Sequence, residues 1–317
     1  MYFPYVRGRQ YELLALRELV TNNILGNLVT PIVEPVKLST TLVNMMEEYI
    51  KVGHPVSIIR NPVVGTFNSD WKEARELSKE AGYKQRFSEQ YENPVIIKSL
   101  IMQKNAKLWL DFWDKHDVNK SDLLIINVDR NYLDLYESAF GTVNPCYVLM
   151  PDESVFRRKI RQNKVLLDDK FEKKDRNADY QNSEDDFFSD DHLYYKDDGF
   201  IGFSDYSVVG NEYLESGFAP YAVAIHIVYF AKDETLRVRH FVSDSNEDIT
   251  NPALKFYEAV SKLAAWYNAK PHPVEMTLGL QTFLHHYEQK SYPGLGTVKK
   301  LSLMHHLELM SMYLSRV

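Results

Sequence analysis

Cysteine is almost missing from this chain. Cys146 stands alone among 317 residues, which excludes a disulfide framework and any cysteine-ligated zinc site built within it. It sits in the apolar run Cys146, Tyr147, Val148, Leu149 and Met150, where a buried, inert thiol is expected rather than a nucleophile. Glycine-rich phosphate loops are lacking too. There is no G-x-G-x-x-G, no Walker-type loop and no G-x-S-x-G elbow, so the common nucleotide-binding and serine-hydrolase readings lose support. No apolar run approaches the roughly 18 residues needed to span a bilayer, and the opening MYFPYVRGRQ lacks the layout of a secretory signal. No membrane contact and a cytoplasmic location are the expectation. Basic residues are outnumbered, 37 Lys and Arg against 44 Asp and Glu, for a net charge of −7. That balance argues against a broad nucleic-acid surface while leaving room for a small basic pocket. No linker rich in Pro, Gly or Ser interrupts the chain, so one domain over 1–317 is the simplest expectation.

What the chain does contain is a regular alternation. Thr30 to Val36, Val56 to Ile59, Val95 to Ile97, Leu123 to Val128, Tyr147 to Met150, Lys164 to Leu167 and Phe200 to Phe203 read as buried strands. Helical stripes lie between them. Gln10 to Ile24 places Leu13, Leu16, Leu19 and Val20 on one face; Ser39 or Thr40 caps a helix that Gly53 ends. A further helix opens at Ser69, runs through Trp71, Ala74, Leu77 and Ala81 and closes at Gly82, and Asp152 can cap the helix containing Phe156. Strand and helix alternating seven times predict an α/β fold, a TIM-barrel-like (β/α)₈. Ala222 to Phe230 and Leu236 to Val242 read as a hairpin, one strand of which can complete the barrel. Asn251 and Pro252 open a helix, and 252–317 is expected to be a helical segment packed on the barrel.

Residues 168–199, after the sixth of these strands, form a long insertion that is both acidic and aromatic. Disordered segments are poor in aromatics, yet this one holds Phe171, Tyr180, Phe187, Phe188, Tyr194 and Tyr195. An ordered, lid-like loop over a site is expected.

In such barrels functional groups stand at the C-terminal ends of strands. Here those ends carry Glu34, Arg60 with Asn61, Lys98, Asp129 with Arg130, Asp152, Asp168 with Asp169, and Asp205. Glu34, Asp129, Asp168 and Asp205 would suit a hard cation such as Mg²⁺ or Mn²⁺. Arg60, Lys98 and Arg130 beside them would hold a small anionic ligand, most simply a phosphate. The plainer alternatives are helix caps, for which Asp152 is the best candidate, or a buried network in which the two signs neutralise each other. His192 in the insertion, and His240 with Asp244, could supply acid or base. The adjacent pairs His285–His286 and His305–His306 point about 100° apart on a helix and read as surface or packing residues.

Several segments resemble the phage "beta protein" family, and more closely a bacterial branch of it. They are YFPYVRGRQYELLALREL, PIVEPV, IIRNPVVG, DRNADY, DDFFSDDHLYYKDDGFIGFSDYSVVG, YAVAIHIVYF, HFVSDSN and LSLMHHLEL, which extend from one end of the chain to the other. The resemblance implies a TIM-barrel-like fold and brings no established activity. It implies a phage-conflict or mobile-element setting and a restriction-endonuclease-like protein as a neighbouring partner. The matching positions Glu34, Arg60, Asn61, Asp168, Arg176, Asp179, Asp190, Asp191, His192, Asp205 and Tyr206 are those it offers as a site.

Two functions of different classes follow as expectations. One is a metal-assisted hydrolase or transferase on a phosphorylated or nucleotide-like substrate. In it Glu34, Asp129, Asp168 and Asp205 hold the ion, Arg60, Asn61, Lys98, Arg130, Arg176 and Tyr206 hold the substrate, and Asp168, Asp205 and His192 take part in the chemistry. The other is a non-catalytic protein whose acidic, aromatic lid docks a partner.

Overall fold

In the computed structural model, which describes residues 1–74, 79–213, 220–269 and 274–316, the apolar runs become strands in the expected order. The chain begins β1 (Tyr5–Val6), α1 (Gln10–Thr21), β2 (Ile32–Val33), α2 (Thr40–Val52), β3 (Val56–Ile59), α3 (Phe67–Glu73) and α4 (Lys79–Tyr91). It continues through β4 (Ile96–Ile101), α5 (Ala106–Lys115), β5 (Leu124–Ile126), α6 (Leu133–Phe140), β6 (Tyr147–Met150), α7 (Ser154–Lys159) and β7 (Lys164–Leu167). Then come β8 (Asp185–Ser189), α8 (Asp191–Tyr194), β9 (Gly202–Ser204), β10 (Ala224–Phe230), β11 (Leu236–Val242), α9 (Pro252–Ala269), α10 (Leu278–Glu288) and α11 (Leu295–Leu314). Two compact units result. Met1–Asn23, Asn27–Asp168 and Tyr194–Asp205 make the first; Ile24–Gly26, Asp169–Leu193 and Tyr206–Val317 make the second.

The first unit is a TIM-barrel-like (β/α)₈. Its strands run β1-β2-β3-β4-β5-β6-β7-β9, all parallel, and β1 meets β9 through Phe3 N–H to Phe203 O (2.9 Å) and Tyr5 N–H to Asp205 O (2.9 Å). The eighth strand is therefore Tyr5–Val6, and the predicted hairpin does not supply it. Two residues are too short to display any period, which is why the sequence hides this strand. Paired residues of a parallel ladder share a face, so the register Tyr5, Ile32, Ser57, Ile97 marks the barrel interior, as do Ser99, Leu124, Tyr147 and then Leu149, Val165, Gly202. The interior is filled rather than hollow. Within it the Ser57 and Ser99 hydroxyls of the neighbouring strands β3 and β4 touch, and Phe3 packs so close to Gly202 that a Cβ there would lie 2.7 Å from its ring.

Local signals behaved as their chemistry dictates. Ser39 caps α2 by accepting from Leu42 N–H, and Gly53 ends it with φ of +77°. Gly82, however, lies inside α4 and terminates nothing; Leu77 falls outside the described residues. Glu153, not Asp152, precedes α7, and Asp152 instead pairs with Arg157.

The second unit is a three-stranded antiparallel sheet, β10-β11-β8, with helices on both faces. Tyr229 and Phe241 pack on Trp266 of α9, while on the other face Phe230 meets Tyr313 of α11. His305 of α11 hydrogen-bonds the Val228 carbonyl at 2.7 Å, and α10 crosses α11 at Gly279, where a Cβ would lie 2.4 Å from the Leu301 oxygen. β8 comes from the acidic insertion. Phe171, Tyr180 and Phe188, within the part that belongs to this unit, are buried.

Candidate functional site

The barrel's register sorts the strand-end charges into two sets. Glu34 follows Ile32 by two residues and Asn61 follows Ile59 by two, so both face the axis. Arg60, Lys98 and Asp205 have the opposite parity and face the helices.

Facing the axis, Glu34 is fully buried. Its Oε2 accepts from the Tyr5 hydroxyl (2.7 Å) and from Arg7 Nη1, and its Oε1 accepts from Val63 N–H (2.7 Å). Asn61 bridges to β4, donating to Ile101 O (2.8 Å) and Asn105 Oδ1 (3.0 Å) and accepting from Ile101 N–H (2.8 Å). Gln103 closes the group by donating to Asn61 O. Both carboxylate oxygens of Glu34 and both amide atoms of Asn61 have partners, so this network fixes the strand ends rather than waiting for a ligand.

On the helix side the picture differs. Arg60 is 7 % exposed, and its guanidinium lies between two indoles, 4.2 Å from the Trp71 ring and 4.1 Å from the Trp109 ring. Burial pushes its pKa down to about 10. Stacking satisfies the faces of a guanidinium but not its five in-plane N–H donors. Among the described residues none accepts from them, and none of its nitrogens is sealed from solvent, so the donor edge meets water. Asn127, just after β5, is fully buried with neither side-chain atom partnered among the described residues. The sequence reading passed over both Asn127 and the indole pair. The available signal was tryptophan itself: three of the chain's four lie on the helices that follow β3 and β4.

The remaining predicted residues disperse. Lys98 lies inside β4 rather than at its end and reaches the Tyr91 carbonyl (3.0 Å) and Glu92 (3.1 Å), because β4 continues through Ser99, Leu100 and Ile101. Asp205 is buried and accepts from the Tyr2 hydroxyl at 2.8 Å. Asp129 is exposed and caps Asn131, and exposed Arg130 pairs with Glu153. Asp168 is exposed at the end of β7. In the second unit, Arg176 is exposed, Tyr206 is half-buried, and Lys170 pairs with Asp191 at 3.0 Å. Asp179 accepts from Arg176 N–H, and Asp190 precedes α8. His192 is buried between Phe230 and Tyr313, bonded to the Glu234 carbonyl at 2.8 Å, and burial lowers its pKa. Among the described residues no three His, Cys, Asp or Glu side chains gather as a metal-binding group. Parity explains this in part, since Glu34 and Asp205 leave their strands on opposite faces.

A histidine pair was also missed. His226 and His240 are direct cross-strand partners, Nδ1 to Nδ1 2.7 Å apart, and Asp186 Oδ2 lies 3.3 Å from His240 Nε2. The Tyr180 ring covers both, and burial lowers both pKa values.

No helix among the described residues is long and apolar enough to cross a membrane. No family model, curated protein or solved structure matches the chain.

Proposed function

We propose that the barrel binds a phosphorylated or nucleotide-like small molecule at the end where its strands terminate, and acts on it as a hydrolase or transferase. The observation that carries this reading is Arg60: a buried cation, stacked on both faces, with no carboxylate partner among the described residues and its donor edge open to solvent. Leaving such a cation unpaired costs stability, and a planar fork of donors matches a phosphate or carboxylate in two-point fashion. Equilibrium binding of nucleoside monophosphates and inorganic pyrophosphate to the wild type, Arg60→Gln and Arg60→Lys tests it. Loss of a charge-assisted bond is worth about 1.5–3 kcal/mol, so both variants should bind ~10–100-fold more weakly. Lysine keeps the charge but not the fork. Equal affinity in all three would sink the proposal.

A metal-assisted form of the reaction asks more of the site, because Glu34 is already held by Arg7, Tyr5 and Val63 N–H. A divalent ion would have to displace one of these donors. If Mg²⁺ or Mn²⁺ is used, it should raise the melting temperature of the wild type and not of Glu34→Gln; no rise in the wild type removes the ion from the reading. The resemblance to the beta protein family supports a phage-conflict setting as part of this proposal. The docking alternative, with a nuclease-like neighbour as its partner, rests on Phe187 and Tyr194, each about half exposed. It is the weaker reading, because the insertion's other four aromatics are buried and Asp185, Asp186 and Asp191 are paired internally.

A further inference from the structure

Within the second unit, the acidic insertion is closed over a pair of imidazoles. His226 and His240 stand opposite each other on β10 and β11, Nδ1 to Nδ1 2.7 Å apart. The insertion supplies their cover. The Tyr180 ring lies 4.7 Å from the His226 ring and 4.6 Å from that of His240, Phe171 lies 5.1 Å from His226, and Asp186 of β8 brings Oδ2 to 3.3 Å from His240 Nε2. These contacts place the protons. His240 Nε2 turns its hydrogen toward the carboxylate, so His240 Nδ1 is the acceptor and His226 Nδ1–H the donor between the rings. His226 Nε2 is then the one basic nitrogen of the pair not used between the rings or toward Asp186. A first proton must go there, on a ring that burial, His240 and Lys299 of α11 all keep neutral. A second proton has only His240 Nδ1 to take, and two protonated Nδ1 atoms cannot remain 2.7 Å apart. Around His240, burial is the largest influence and opposes a charge, as does Lys174; Asp186 and Asp185 favour one.

We infer that the insertion is an acid-released flap: residues 171–189 stay docked on the hairpin while His226 and His240 share one hydrogen bond, and undock when both imidazoles take up protons. With the flap off, both rings meet water and bind protons with ordinary affinity. The docked state is therefore fully favoured above the ordinary histidine value of 6.5 and is lost as pH falls below it. From pH 7.5 to pH 5.0, one histidine that is neutral when docked and ordinary when released favours opening by about 30-fold, and two by up to about 900-fold. Opening bares Phe171 and Tyr180, both buried in the docked state, so the device turns acidification into an exposed aromatic surface.

Amide hydrogen exchange of the full chain at pH 7.5 and pH 5.0, corrected for the intrinsic rates, tests the inference. Protection of the β8 amides, 185–189, should fall at least ~30-fold at the lower pH. His305 and His306 also weaken the fold in acid, so a control must isolate the pair. The double variant His226→Gln, His240→Gln keeps donors and acceptors but does not ionise in this range; in it β8 should lose most of its pH dependence while α11 keeps its own. Should that variant fail to fold, ¹⁵N imidazole shifts of the wild type decide instead. They should show His226 as the Nδ1–H tautomer at pH 7.5, and neither ring doubly protonated in molecules whose β8 amides are still protected. Equal β8 protection at the two pH values, the same pH dependence in the glutamine variant, or both imidazoles protonated beneath a protected β8 would overturn the inference.

Discussion

At the scale of single residues, this protein is marked by where polar groups go unanswered. Glu34, Asn61 and Asp205 looked from the sequence like ligands in waiting, and each has protein partners; Arg60, and Asn127 among several buried polar groups, keep unmet hydrogen-bonding capacity among the described residues. Histidines follow the same logic. His305 and His306 are fully buried, and burial lowers their pKa values to about 4 and about 3, with His226, His240 and His192 shifted in the same direction. A histidine kept neutral in the fold binds its proton more readily once unfolded. Stability is therefore complete above the unfolded value of 6.5 and is lost as pH falls below it. Going from pH 7 to pH 5, His305 and His306 should each cost about 2 kcal/mol. Chemical denaturation at several pH values checks this. A flat profile between pH 7 and pH 5 would show that these imidazoles are not held neutral.

At the scale of elements, the acidic insertion is informative because its sequence reads as a loop and its structure is partly a strand. β8 joins β11 with a register shift between Leu236 and Arg237, and Asp185 faces Arg237, Arg239 and Tyr229. The run of aspartates is thus answered by arginines some 50 residues later, a pairing that no local window of sequence contains. Alternation along the strand should be visible in stability. Phe188→Ala, at a buried position, should cost about 3–5 kcal/mol. Phe187→Ala, at a position 54 % exposed, should stay within about 0.5 kcal/mol. Urea denaturation of the two variants decides it, and similar losses in both would mean that the exposed ring is held by something other than this sheet.

At the scale of the whole molecule, the barrel was legible because each of its longer strands is a continuous apolar run and Ser39, Gly53 and Asn251 punctuate helices through local chemistry alone. Tyr5–Val6 was not, since two residues carry no period, and the hairpin was misplaced because a strand's sequence does not say which sheet it joins. The site was half legible. Its residue types were found, but the ring drawn from strand ends merged two faces, because the end of β4 lies three residues beyond Lys98 and a shift of one position moves a side chain from axis to helix layer. The −7 net charge is compatible with the proposed role, in which a single enclosed guanidinium rather than a basic surface would hold the anion.

The most direct test of that central claim is to watch the Arg60 guanidinium itself. In ¹⁵N-labelled protein, Arg60 Nε–H should give a resonance shifted by the Trp71 and Trp109 ring currents and move saturably as pyrophosphate or a nucleoside monophosphate is added, with the same titration silent in Arg60→Lys. A resonance that stays in place through saturating phosphate ligand, or one already frozen in a hydrogen bond before any is added, would contradict the account.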